Sequence, residues 1–335
     1  MVFHTAKMTG RRLAVALTTL AAMGLTVAVA QGETLRFGHN QQTNHVYHAV
    51  ADHFAQEADK RLEGLDIKIF PAAQLGEEVP MLESVMAGVQ DMAIAASAWT
   101  STFVPSMGFF SVSYIFPTQE DFRKALNDEA LNALIDEKIA ESDVAMKRVA
   151  TITAGVRNLY NAVGAVEMVD DVDGLRLRVM GSPIESQVWG AIGASPFSIP
   201  FSDVYTALQT GLAKGAENAA AVYAANKHYE VAPYYSLTGH QWLVGFVFIS
   251  QSRWDSLTAD QQDTLLEIGK EATDLSIDYA AKTDADMLEE LVANSGVQVN
   301  EVDTDGFVEK VAPIQDSAAE ELGMQDVLTR IRELR

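Results

Sequence analysis

The stretch from Thr34 to Phe70 constrains the fold more tightly than any other. Thr34 to His39 (TLRFGH) alternates apolar and polar residues, the period of a strand. From about Asn44 the spacing changes, and Val46, Val50, Phe54, Ala58 and Leu62 recur at four-residue steps along one face of a helix. Leu65 to Phe70 (LDIKIF) alternates again. Strand, helix and strand in this order make a βαβ unit, which implies a parallel pair and an α/β fold. Ligands of open α/β sheets gather beyond the carboxyl ends of the strands. His39, Asn40 and the loop Pro71 to Glu78 (PAAQLGEE) therefore stand at a prospective site.

The alternation continues. A helix is predicted over about 78–88, a strand at Asp91 to Ala96, a loop from Ser97 to Met107 and an apolar run from Phe109 to Phe116. One polar-faced helix is predicted over about 119–141, then strands at Ala145 to Thr153 and Val156 to Ala162. A second α/β set opens with the strand LRLRVM, where Arg176 and Arg178 share one face and Leu175, Leu177 and Val179 the other. A helix, a short strand at Pro196 to Pro200, a helix from Phe201 and the polar segment GAEN follow, and then a helix near Val222 to Val231. Trp242 to Ser250 reads as a strand buried on both faces. Thr258 to about Asn294 is a helical tract that opens with a capping box, Thr258 and Gln261. Unbroken, it reaches roughly 55 Å, longer than one domain is wide, and would brace two lobes; a break near Thr283-Asp284 is the alternative. Val297 to Val302 is a late strand, and helices close the chain.

The 335 residues are enough for two domains with real cores. The absence of cysteine excludes disulfides, thiolate nucleophiles, cysteine-ligated metal and a lipoprotein anchor. Residues 1–30 read as an export signal: Lys7, Arg11 and Arg12 precede an apolar run, and Ala28-Val29-Ala30 is a small-residue cleavage site. Cleavage after Ala30 places the mature chain in the periplasm. It also takes the formal net charge from −22 to −25, a surface that repels nucleic acid and anionic lipid. An anionic small molecule remains admissible, because screening confines surface charge to about 8 Å and local arginines govern a cleft. The chain carries no P-loop, GxGxxG, GxSxG or HExxH pattern. His45 and His48 stand one helical turn apart, the spacing of a metal pair, but read here as a helix start and a solvated or partly packed face. No cofactor or metal is expected.

Arg157, Arg178 and Asn218 fall where loops and strand ends converge. The segments around them, RNLYN, GLRLRVMGSP, GASPFSIPFSDVYTALQTG and GAEN, resemble the solute-binding proteins of tripartite ATP-independent periplasmic (TRAP) transporters, the DctP-like family. QLGEE, DMAIAAS and LTGH match further segments of that family, and the resemblance covers essentially all of 31–335. FSDVYTALQTG is its most specific block.

The resemblance implies a two-lobed, periplasmic-binding-protein-like α/β fold with a hinged central cleft and a long helix spanning both lobes. Lobe I is expected at 31–154 plus 244–283, and lobe II at 155–243 plus 284–335. The family's carboxylate-pairing arginine falls on Arg178, a second arginine on Arg157, the asparagine on Asn218 and the aromatic opening the VYTALQTG helix on Phe201. In the first lobe, Asn40 and the pair Glu77-Glu78 match positions that reach ligand hydroxyls, His39 adjoins them, and Trp99 with Phe201 would cover an apolar ring face. The chain departs from the family pattern at Ala96, where some relatives carry an acid, and at Lys214, where the family has an acid before GxEN. The implied function is periplasmic capture of an organic acid, a sugar acid such as a hexuronate, and delivery to membrane-embedded TRAP permease subunits by a monomeric protein. A C4-dicarboxylate or other small carboxylate is the alternative ligand. A sensor subunit for a signalling receptor is the alternative role, and a periplasmic enzyme would need a nucleophile that no motif supplies.

Overall fold

A computed structural model describes residues 33–335; the leader expected over 1–30 lies outside them. The first half of the chain runs β1 (Glu33–Gly38), α1 (Val46–Arg61), β2 (Leu65–Phe70), α2 (Glu78–Met86), β3 (Met92–Ala96) and α3 (Ser97–Thr100). It continues with α4 (Gln119–Asn127), α5 (Glu129–Ala140) and β4 (Met146–Asn161). The second half runs β5 (Arg176–Val179), α6 (Pro183–Ile192), β6 (Ser195–Ser198), α7 (Val204–Thr210), β7 (Gly215–Asn218) and α8 (Ala220–Ala225). Then come β8 (Tyr234–Ser250), α9 (Gln251–Ser256), α10 (Ala259–Asn294), β9 (Gln298–Glu301), α11 (Asp305–Glu321) and α12 (Gln325–Glu333). Among the described residues, no helix is long and apolar enough to cross a membrane.

The strands form one sheet in the order β2-β1-β3-β8-β4-β7-β5-β6, with β9 added beside β8. The opening βαβ unit is as the periodicity predicts: β1 and β2 are parallel, and Val46, Val50, Phe54 and Ala58 are buried along α1. Two long strands hold the sheet together. β4 and β8 are antiparallel over nearly their whole lengths, but β8 pairs with β3 through 245–249 and with β9 through 234–237. β4 meets β7 only near its end, at Asn158 to Asn161. The change of partners coincides with a bulge. Thr153 stands opposite Val244 and Val156 opposite Trp242, so Ala154 and Gly155 together face Leu243. The extra residue bends the strand, and Gly155 accommodates it at φ +95°.

α10 crosses behind this bend as one uninterrupted helix of 36 residues, capped by Thr258 and Gln261 as the capping box predicts. The break near Thr283-Asp284 does not occur; there Asp284 turns to the sheet side and accepts the Ala221 N–H at 3.0 Å. Thr273 donates to the Thr151 carbonyl at 2.8 Å, and Ser276 accepts from the Thr153 N–H at 3.1 Å. These short side chains allow close approach of helix to strand.

Four local readings change. The single helix over 119–141 is two, because Asp128 leaves the helix to cap α5 through the Leu131 N–H and to receive Arg330 at 2.7 and 2.9 Å. The strands at 145–153 and 156–162 are one strand with a bulge. The Ser97–Met107 loop contains the short helix α3 and the start of a 3-10 turn at Pro105–Ser111. GAEN and LTGH are strand, in β7 and β8, since partner strands complete their hydrogen bonds in place of local pattern.

Gly269 is where α10 approaches β4 most closely: a Cβ there would stand 1.9 Å from the Val149 carbonyl oxygen. Alanine would gain about 1 kcal/mol of helix propensity, but the clash is with backbone and such overpacking costs about 1–3 kcal/mol. Gly269→Ala should therefore lower the thermal midpoint by several degrees, measured by circular dichroism; an unchanged or raised midpoint would contradict this packing.

Candidate functional site

The bend in β4 and β8 opens onto a narrow cavity lined from both halves of the chain. Ala154 and Leu243 come from the bend itself. Asn40, Gln41, His45, Tyr47, Glu78, Ala96 and Trp99 come from the first half of the chain, and Arg178, Met180, Phe201, Asn218 and Val222 from the second, with Arg157 beside the bend.

Arg178 lies in β5, between β6 and β7. Leu177 and Val179 point into the core and Arg176 is exposed, its guanidinium 5.8 Å from the Phe197 ring. Arg178 itself is 1% exposed. Its Nε and Nη2 donate to the Ile199 carbonyl at 3.1 and 2.9 Å. Three of its five N–H groups remain, among them an end-on Nη1–Nη2 pair that matches a carboxylate. It makes no ion pair within the described residues, and burial lowers its pKa.

Arg157 is equally buried but engaged. Its Nε donates to Glu217 Oε2, its Nη2 to Glu217 Oε1 and to the Glu217 carbonyl, both at 2.8 Å, and its Nη1 to Asn218 Oδ1 at 3.1 Å. Glu217 is 1% exposed. Burial alone would raise its carboxyl, but the Arg157 charge and hydrogen bonds from His240 and Arg157 hold it down at about 2. Asn218 Oδ1 also accepts the Ala219 N–H at 3.0 Å, so the amide is fixed with its oxygen inward to the protein.

On the opposite wall the loop after β2 curls back. Ala72 and Ala73 adopt φ of 52° and 57°, and their N–H groups reach the carbonyls of Gln41 and His39. This brings the first turn of α2 to the end of β1. Glu77 accepts from Asn40 Nδ2 at 3.0 Å, and Gln41 Nε2 donates to Asn40 Oδ1 at 3.1 Å. Glu78 is 5% exposed, and its Oε2 accepts from the Ala96 N–H at 3.4 Å. Burial pushes its carboxyl up to about 8, so at neutral pH it is a hydrogen-bond donor. His45 caps α1: its Nδ1 accepts the Tyr47 N–H at 3.1 Å, which leaves the proton on Nε2. Burial lowers its pKa to about 3, so the ring is neutral.

Seven of the residues singled out from sequence line the cavity: Arg178, Arg157, Asn218, Phe201, Asn40, Glu78 and Trp99. Trp99 packs over Gly181, where a Cβ would stand 2.3 Å from the indole. His39 and Glu77 do not line it. His39 is fully buried with Nε2 3.1 Å from His48 Nδ1, and Glu77 supports Asn40 from outside the wall. The His45 and His48 rings are turned to different partners, and no cluster of metal-ligating side chains occurs among the described residues. Gln41, Tyr47, Met180 and Val222 have no sequence signal of their own, and His45 was legible only as a helix start. Glu217 was legible only as the acid of GAEN, next to Asn218.

The sign of the Glu78 effect follows from its raised pKa. Below about 4.5 both folded and unfolded forms are protonated; between there and about 8 only the unfolded form ionises, so stability falls as pH rises. Burial also pushes Glu185 and Asp284 up to about 7, with the same sign. Glu78→Gln should therefore remove one part of the loss. The stability difference between pH 5 and pH 8.5, measured by urea unfolding without ligand, should shrink by about 4 kcal/mol relative to wild type. An identical pH profile in the two proteins would contradict a neutral Glu78.

The sequence model of bacterial extracellular solute-binding protein family 7 (DctP) matches residues 37–322. A solute-binding protein of Sulfitobacter sp. (strain NAS-14.1) is 32% identical over 317 residues, covering 93% of this chain and 94% of its own. The 2,3-diketo-L-gulonate-binding periplasmic protein of Escherichia coli (strain K12) is 29% identical over 254 residues, 76% of each chain. Among solved structures, a TRAP periplasmic solute-binding protein from Sulfitobacter sp. NAS-14.1 with bound alpha-D-taluronate superposes on this chain with a TM-score of 0.85, with 30% identity over 90% of this chain and 98% of that one. One from Chromohalobacter salexigens with bound D-glucuronate reaches 0.84, with 26% identity over 90% and 100%.

Proposed function

The chain belongs to bacterial extracellular solute-binding protein family 7, and on that premise we propose that it captures a sugar acid in the periplasm and delivers it to the membrane subunits of a TRAP permease. Binding without turnover is part of the proposal. Arg178 takes the ligand carboxylate end-on through Nη1 and Nη2. Arg157 positions Asn218 and adds its one unassigned Nη1–H, while Asn40, Gln41, His45 and Glu78 meet hydroxyls, and Trp99 and Phe201 cover the ring. The observation that carries this reading is Arg178, a buried cation of the cavity lining that is hydrogen-bonded to one backbone carbonyl and makes no ion pair among the described residues. The hexuronates held by the similar structures supply the ligand class. Both walls are rich in amides and other uncharged donors, as a polyhydroxy ligand requires.

The lobes we assign are 31–154 plus 244–283 and 155–243 plus 284–335. The bulge at Ala154-Gly155 and the exchange of strand partners along β8 support a hinge there. Ligand bridging the two walls would favour the closed form by its differential contacts.

A thermal-shift screen of hexuronates, aldonates, C4-dicarboxylates and keto acids should stabilise the protein with sugar acids, and a flat response to all of them would count against the function. In calorimetry with the best sugar acid, Arg178→Ala should lose about 100-fold or more in affinity, since two charge-assisted bonds go. Arg178→Lys should also bind weakly, because an ammonium cannot reproduce the paired geometry. Near-normal affinity in Arg178→Ala would refute the clamp.

A further inference from the structure

How many negative charges the cleft accepts is decided by side chains behind its walls. Arg157 and Arg178 are the cations of the lining. Arg157 lies fork to fork against Glu217, and both side chains are 1% exposed, so its charge is cancelled within the protein. Arg178 hydrogen-bonds only the Ile199 carbonyl and makes no ion pair among the described residues, although the Glu217 charge acts on it from beyond Arg157, so the two cations share one carboxylate. No other lining residue adds positive charge: Asn40, Gln41 and Trp99 are uncharged, the His45 ring is neutral, and the remaining acidic group is Glu78. Glu185 sits nearby and buried, with Oε2 accepting the Met180 N–H at 2.8 Å and Oε1 without a partner. An anion at Arg178 pushes that carboxyl further toward its neutral form.

We infer that Glu217 sets the charge capacity of the cleft at one: by pairing with Arg157 it leaves Arg178 as the single uncompensated cation, so the site takes a polyhydroxy monocarboxylate and rejects the corresponding dicarboxylate. The inference rests on the sugar-acid reading above and narrows it. A ligand's first carboxylate exchanges its hydration for paired bonds to Arg178. A second carboxylate would be desolvated among amides, an indole and Glu78 with no cation opposite, and an unpaired buried charge is costly. Discrimination then comes from what the wrong ligand is forced to bury.

The test is calorimetry at pH 7 with D-gluconate, D-glucuronate, D-glucarate and malate. Wild type should bind the better of the two monoanions at least about tenfold more tightly than D-glucarate. Glu217→Gln releases Arg157 and should narrow that ratio several-fold in favour of D-glucarate. Arg157→Gln/Glu217→Gln removes the pair as a unit, returns the capacity to one and should restore the preference. If Glu217→Gln does not fold, the wild-type ratio and the double variant still decide. D-Glucarate bound by wild type as tightly as the better monoanion overturns the inference and leaves the sugar-acid reading standing. So does an unchanged ratio in folded Glu217→Gln, or a double variant that prefers D-glucarate. Malate bound while no sugar acid binds, or none of the four bound, overturns the sugar-acid reading itself.

Discussion

Taking a guanidinium out of water is expensive unless a carboxylate or a full set of acceptors replaces its hydration. The cleft holds two such groups, and they are treated oppositely. Arg157 is completed by Glu217 and Asn218, so it behaves as part of the scaffold. Arg178 is left half-completed, held in position by one backbone carbonyl, with its carboxylate-matching edge free. Everything around Arg178 maintains that state. β5 is locked between parallel neighbours, Leu177 and Val179 anchor its other face, and the short strand β6 precedes the Ile199 carbonyl that fixes the side chain. A cation held in this way would be stabilised by an anion entering the cleft, and in the proposed function that is the driving force for binding.

The sheet sets where this happens. β4 carries Arg157 two residues from Leu159, the register partner of Glu217, so antiparallel pairing with β7 brings the ion pair together. The bulge at Ala154-Gly155 lies three residues earlier along the same strand and forms part of the cavity wall. Binding chemistry and bending are thus built into one strand. α10 runs behind it, tied by Thr273 and Ser276 to β4 on one side of the bend and by Asp284 to the start of α8 on the other. A helix in contact with both sides of a bend limits the directions in which the sheet can flex.

Elements with strong local periodicity were readable in the chain: α1 from its four-residue steps, β2 from strict alternation, and α10 from its capping box. The misread segments share a cause. β7 and the first half of β8 have no clean alternation and become strands because β4 supplies their hydrogen bonds. The helix expected over 119–141 divides at Asp128 because Arg330, some two hundred residues away, rewards a carboxylate that has left the helix. Within the site, Arg178, Asn218 and Phe201 were found through motif resemblance, while Gln41, His45 and Tyr47 belong to no motif: the Ala72 N–H of a left-handed turn holds the Gln41 carbonyl, and His45 and Tyr47 enter the lining from the start of α1.

The sequence by itself determined the α/β class and the binding-protein family, because these reside in period, motif and residue type. It also placed both Arg157 and Arg178 at the site. Only the tertiary structure separated their roles. The deciding facts are that Glu217 reaches Arg157 and not Arg178, that Glu78 lies in the wall while Glu77 lies behind it, and that burial keeps Glu78 and His45 uncharged. Charge state and pairing depend on which groups share a desolvated space, and strand register, not chain order, fixes that.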